Sequence, residues 1–268
     1  MSSRDQFHAL LNSKYGTNIN TVYIENFLFD ELSLDDYKGF LDNNPSASLS
    51  LALPYVLRNT SEKRILSILN SEEFKEFFTG VLVRSLDEIG FIKSMNLSKE
   101  IILTGDAGLY TWNKESFEAF KDDIHIETLP YELKREEYRY LECGDVPLEK
   151  IIYGRVPMMI TANCVVKTSF ECRNGKDNGF AFLTDRTNTA FPVKVNCKDC
   201  SNIIYNSVPL SLHDTFKYLK NEYMCRLNFT TESEEEVLKV LGYFVKGIND
   251  NKKAPYEYTT GHEKKGVE

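Results

Sequence analysis

Short apolar, β-branched runs recur along the chain at a nearly regular interval: TVYI at 21–24, SLSLAL at 48–53, GVLV at 80–83, EIILTG at 100–105, HIE at 125–127, KIIYG at 150–154, NIIY at 202–205 and CRLNF at 225–229. Few of them alternate strictly between apolar and polar, which is the pattern of parallel strands covered by helices on both faces. Helical segments with start signals lie between them. Ser85 with Glu88 and Ser233 with Glu236 form capping-box pairs, and Ser33 and Asn113 stand where they cap LDDYKGFL and KESFEAFK. In the last helix Val237, Leu238, Leu241, Phe244, Val245 and Ile248 keep the spacing of one core-facing stripe. Eight strand-then-helix units predict an α/β fold, a closed (β/α)8 TIM-type barrel spanning residues 1–268 as one domain. A doubly wound sheet would need a Gly-rich first turn, and none is present.

One interval breaks the rhythm. The step from Ile152 to Ile204 is about twice as long as the others. It carries GFAFLTDRTNTAFPVKV, two alternating runs around a turn-prone DRTN, so a β-hairpin excursion is expected after strand six. The same stretch, residues 161–201, holds Cys164, Cys172, Cys197 and Cys200. The two-residue gap between Cys197 and Cys200 lets both sulfurs grip one metal from a tight turn, and Cys164 and Cys172 complete four ligands. Four thiolates suit tetrahedral zinc or an iron-sulfur cluster, and spacing does not separate the two. Loops that follow barrel strands open on the catalytic face, so this insertion is expected at the mouth. Cys143, on an expected helix, and Cys225, in an expected strand, read as small buried hydrophobes.

Charged residues fall where strands end. Arg58 and Arg84 follow strands two and three, Asp106 follows strand four, Glu132 and Arg135 follow strand five, Arg155 follows strand six, and Arg226 and Asn228 belong to strand eight. Guanidiniums converging on a mouth favour a carboxylate- or phosphate-bearing ligand, because the Arg fork matches such oxyanions. The alternative is a set of structural ion pairs with Glu132 or Asp106. Candidate catalytic residues are therefore Arg84, Asp106, Glu132 and Arg155. Candidate substrate contacts are Arg58, Arg226, Asn206 and Trp112, the last with Tyr110 as a stacking wall. Asn163, Asn206 and Ser207, beside the cysteines, are positioned to orient hydrogen bonds to metal-bound sulfur.

Composition narrows the classes. Hydrophobic residues make up 42% of 268, enough for one large core, and the net charge of -8 disfavours a nonspecific nucleic-acid or anionic-membrane binder. Neither a secretory signal nor a membrane-length apolar run is apparent, so a cytoplasmic protein is expected, and in that compartment six cysteines read as thiols or ligands. Peptidase signatures such as HExxH and GxSxG are missing, and His8, His125, His213 and His262 are scattered.

The runs YGRVPMMITANC at 153–164, LTDR at 183–186, FPV at 191–193, CKDC at 197–200, IIYNSVPLSL at 203–212 and TTGHEKKGVE at 259–268 resemble the collagenase-like peptidase family U-thirty-two. LALPYVLR, GVLVRSL, GDAGLYTWN and TLPYEL resemble it too, so the likeness covers nearly the whole chain. It implies a barrel and, as in several members, a cysteine-bound [4Fe-4S] cluster serving oxygen-independent hydroxylation of RNA bases or of a quinone precursor, with prephenate as hydroxyl donor. In those hydroxylases the fourth ligand lies well downstream of the third, whereas here Cys200 is the nearby candidate. The tail with Gly261, His262, Lys264 and Lys265 resembles a family element that folds back over the mouth. Two other readings stand beside the hydroxylase: a collagenase-like peptidase, and a noncatalytic zinc-stabilised barrel that docks protein or RNA through a hairpin tip around Phe180 and Phe182.

Overall fold

The computed structural model describes residues 1–95, 101–141, 144–169, 171–172, 179–246 and 254–264. Glu100, Cys143, Ile248 and Lys265, each named above, lie outside them. The strands are β1 (Thr21–Glu25), β2 (Ser48–Ala52), β3 (Phe78–Val83), β4 (Ile102–Gly105), β5 (Ile126–Thr128), β6 (Leu148–Gly154), β7 (Pro157–Thr161), β8 (Phe180–Thr184), β9 (Ala190–Asn196), β10 (Ser201–Tyr205), β11 (Leu210–Ser211) and β12 (Met224–Asn228). The helices are α1 (Arg4–Leu11), α2 (Leu34–Asn43), α3 (Asn59–Asn70), α4 (Glu72–Phe77), α5 (Leu86–Ser94), α6 (Lys114–Phe120), α7 (Arg135–Tyr138), α8 (Val165–Ser169), α9 (Phe216–Glu222) and α10 (Glu234–Val245).

Seven parallel strands form a curled sheet in the order β1-β2-β3-β4-β5-β6-β12, with β11 antiparallel on the end of β6. The order β7-β10-β9-β8 makes a second, antiparallel sheet. The expected closed (β/α)8 barrel is therefore wrong in two respects. The run NIIY, expected as the seventh barrel strand, is β10 of the small sheet, and β12 does not pair with β1, which leaves a half-barrel with an open seam. The reason is local: β10 follows β9 after one four-residue turn, so it pairs with its antiparallel neighbour sooner than it can reach a distant parallel one.

Helix starts follow the side chains that cap them. Ser33, Ser233 and Asn113 accept from the third helical N–H of α2, α10 and α6. Ser85 does so for α5, and the Glu88 carboxylate reaches back to accept from Arg84 N. The sheet's outer face packs Ile24, Leu49, Leu51, Val81, Val83, Leu103 and Ile152 beneath helices that bury Phe7, Phe40, Ile65, Ile92, Val237 and Phe244. Its concave face is polar, where a closed barrel would carry layers of branched apolar side chains. That concave face sets up the site.

Candidate functional site

Five charges, four of them buried and Glu25 half-buried, form one chain across the concave face. Arg84, just past β3, holds Glu25 of β1 with both nitrogens, at 2.7 and 3.0 Å, and gives its Nε to Asp106 Oδ2 at 3.0 Å. Arg226 of β12 pairs with the other oxygen of Asp106 and, at 2.9 Å, with Glu149 of β6. Glu149 also accepts from Thr128 Oγ1 at 3.0 Å and Tyr23 OH at 3.2 Å. Tyr55 lies under the Arg84 guanidinium, 4.0 Å from its ring centroid, and Tyr23 is 5.2 Å from Arg226. Burial opposes the charge on Asp106, yet Arg226 and Arg84 together hold its carboxyl down at about 2. For Glu149 burial wins over Arg226, and its pKa is raised. The two guanidiniums are thus internally neutralised, the arrangement weighed above as structural ion pairs, although their partners are Glu25 and Glu149 as well as Asp106.

Above this chain the mouth narrows to a cavity of about 30 Å³ lined by Tyr55, Arg84, Arg155, Tyr205, Arg226 and Asn228, among others. That volume admits water but no substrate-sized molecule. The phenols of Tyr55 and Tyr205 have no hydrogen-bond partner among the described residues, and burial pushes both above the ordinary tyrosine range, so they stay protonated donors.

The small sheet covers the mouth, and arginines hold it there. Arg58 donates to Cys200 O at 3.1 Å. Arg64 of α3 grips both oxygens of the buried Asp199 at 2.9 and 3.0 Å, and Asn196 Nδ2 donates to the same carboxylate at 2.7 Å. Arg155 ties Thr231 Oγ1 at 3.1 Å to the carbonyls of Asn206, at 3.1 Å, and Ser207. Lys194 rests 4.4 Å from the Phe27 ring centroid. Arg58, Arg155 and Asn206, expected as ligand contacts or catalytic groups, therefore fasten one sheet to the other.

Pairing register gathers cysteines at one end of this sheet. Asn202 stands opposite Thr161, and Ser201 opposite Asn196. Cys164 follows the end of β7, and Cys197 and Cys200 fill the turn between β9 and β10, where Cys200 takes the left-handed φ of 47°. Asn202 Nδ2 donates across to Asn163 O at 3.2 Å. Cys164 and Cys197 are half-buried, Cys172 and Cys200 exposed, and none of the four forms a disulfide. The donor set has the soft chemistry of a zinc or iron-sulfur site. Among the described residues, however, no three of the Cys, His, Asp and Glu side chains stand close enough together to hold a metal ion.

Other expected residues lie apart from the mouth. Glu132 accepts from Tyr110 OH at 3.3 Å, and Tyr110 and Trp112 are 53% and 37% exposed, an open surface rather than a wall. Of the tail, Thr259 bridges Leu210, and Glu263 accepts from Tyr138 OH beside the buried Lys150. Sequence reasoning missed Glu25, Glu149, Tyr55, Tyr205, Arg64 and Asp199. A signal existed for two of them: Glu25 directly follows the run TVYI and Glu149 directly precedes the run KIIYG, each a charge bordering an expected buried strand.

No helix among the described residues is long and apolar enough to cross a membrane. No family model and no curated protein matches the chain. Among solved structures, the chitinase-like agglutinin RobpsCRA from Robinia pseudoacacia is similar over 87% of this chain and 96% of its own, at 9% identity and a TM-score of 0.35. A likeness that distant carries neither fold nor function across.

Proposed function

We propose that the protein is a hydroxylase-type member of the collagenase-like peptidase family, in which Cys164, Cys172, Cys197 and Cys200 hold an iron-sulfur cluster beside the mouth of the parallel sheet. The observation that supports this reading is the register of the small sheet, which puts Cys164 at the same end as the turn carrying Cys197 and Cys200, the turn that Arg58 and Arg64 fasten over the mouth. Loading the cluster requires these cysteines to draw together, because no three ligating side chains among the described residues stand within reach of one ion. When bound, the cluster supplies an electron-transfer or Lewis-acid centre that the side chains themselves lack.

The remaining work belongs to the chain's own residues. A small carboxylate-bearing donor such as prephenate accepts hydrogen bonds from the Tyr55 and Tyr205 phenols and from Arg155, all lining the cavity under the small sheet. Its entry requires that sheet to shift, because the cavity is only about 30 Å³. The Arg84–Asp106–Arg226 chain fixes the floor against which the ligand rests.

Anaerobic purification tests the reading. Brown protein with broad visible absorbance, lost in Cys164→Ala, is the expected result. Colourless protein carrying one zinc per chain overturns it and favours the noncatalytic zinc-stabilised form.

A further inference from the structure

The open seam between β1 and β12 contains a cavity of about 750 Å³. This lies inside the range of about 300–1,000 Å³ typical of ligand sites. Its walls combine Val22 and Leu227 from the two strands and Phe216, Leu241 and Phe244 from α9 and α10 with charged side chains. Among the charged ones are Glu149, Asp214, Lys220 and Arg226. Every residue of β12 except Arg226 is only half-buried, as befits an edge strand bordering an open seam.

Backbone polarity says more than volume. A strand residue directs its N–H and C=O to the same side, and at β1 the seam side belongs to Tyr23 and Glu25. Met1 N donates to Tyr23 O at 2.7 Å, and Glu25 N donates to Met1 O at 3.3 Å. Those two bonds bracket Ile24 in the slanted manner of a parallel neighbour. Ser2 reaches the opposite wall, its Oγ donating to Phe229 O at 2.9 Å. The mouth end of the seam thus already holds one residue of an eighth strand that runs parallel to β1. Below it, Tyr23 N–H and Thr21 C=O face the cavity with no backbone partner among the described residues, and the outer edge of β12 pairs with no strand. Backbone groups left unpaired along two facing strand edges match the ladder of an added strand.

We propose that the seam is a docking site for an extended apolar peptide segment of a partner protein. The segment enters as the eighth parallel strand below Met1. Its backbone completes the ladders of β1 and β12, and its alternate side chains enter the apolar space under α9 and α10. A compact apolar molecule would fill the same space but leave the backbone groups unpaired. The inference is independent of the cysteine site.

The test uses a set of N-acetylated, C-amidated pentapeptides, matching the five residues of β1, with valine, isoleucine, leucine or phenylalanine at alternate positions and threonine between. Calorimetric titration is expected to show saturable binding by at least one of them. Hydrogen exchange at the Tyr23 amide and at residues 224–228 is expected to slow by about tenfold or more in the complex. Methylating the alternate peptide nitrogens that face β1 is expected to weaken binding by about tenfold per donor lost, the worth of roughly one hydrogen bond. Cys225→Trp, which obstructs the cavity beside β12, is expected to weaken binding by about tenfold or more, and the methylated peptides keep the test decisive should that variant misfold. Three outcomes overturn the proposal: no binding by any peptide, equal binding of the methylated forms, or concentration-dependent dimerisation that protects the same amides without peptide.

Discussion

In the large sheet Glu25, Arg84, Asp106, Arg226 and Glu149 form one chain of ion pairs, each charge meeting an opposite one on or just past a different strand. In the small sheet the chemically distinctive residues behave differently. Cys164, Cys172, Cys197 and Cys200 remain half-buried or exposed and form no disulfide, while the polar bonds around them run outward to Arg58 and Arg64 of the neighbouring α3 region. The concave face is thus tied together by ion pairs, and the thiols at the cysteine end are not joined to one another. Charge density in a sequence marks the first kind of region as readily as the second.

Breaking the closed network separates the two regions most sharply. Asp106→Ala leaves Arg84 and Arg226 facing each other across a buried gap, and urea unfolding is expected to show a loss of about 3–5 kcal/mol. Arg64→Ala cuts the tether instead. It leaves Asp199 buried with Asn196 as a remaining donor, so a smaller loss of about 2 kcal/mol is expected. Hydrogen exchange in that variant should quicken across 190–205 and stay unchanged in β1 to β6.

Acidity gives a third handle. Burial raises both Glu88 and Glu127 to about 8, so between their ordinary value near 4.5 and about 8 the folded protein binds more protons than the unfolded chain. Stability therefore falls as pH rises through that window, by at most about 1.4 kcal/mol per pH unit per carboxyl. Chemical unfolding of Glu88→Gln and Glu127→Gln from pH 5 to pH 8 should show a flatter slope in each. The smallest effect is expected at the cysteine end: Cys164→Ser in metal-free protein should shift stability by no more than about 0.5 kcal/mol.

Much of the parallel sheet was legible because the buried outer face of a strand leaves an apolar run, as at Leu49, Val81 and Ile152. The same run cannot say which neighbour a strand pairs with, which is why Ile203 and Ile204 were read as barrel strand seven and belong to the antiparallel sheet. Closure was illegible for a related reason: whether β12 meets β1 depends on the accumulated curl of seven strands, not on residues 225–229 themselves. At the site, Arg84 and Asp106 were visible as charges at strand ends. That Glu25, 59 residues before Arg84, would neutralise it was not. Cysteine spacing foretold a shared neighbourhood for Cys197 and Cys200, while the approach of Cys164 follows from the pairing of Asn202 with Thr161.

The proposal that the cysteine end, unlike the ion-paired concave face, holds a metal is tested most directly by quantifying iron, acid-labile sulfide and zinc in anaerobically isolated protein beside Cys197→Ser. Iron and sulfide in equal amounts, absent from the variant, is the predicted result. Stoichiometric zinc, or no metal at all, would contradict the account.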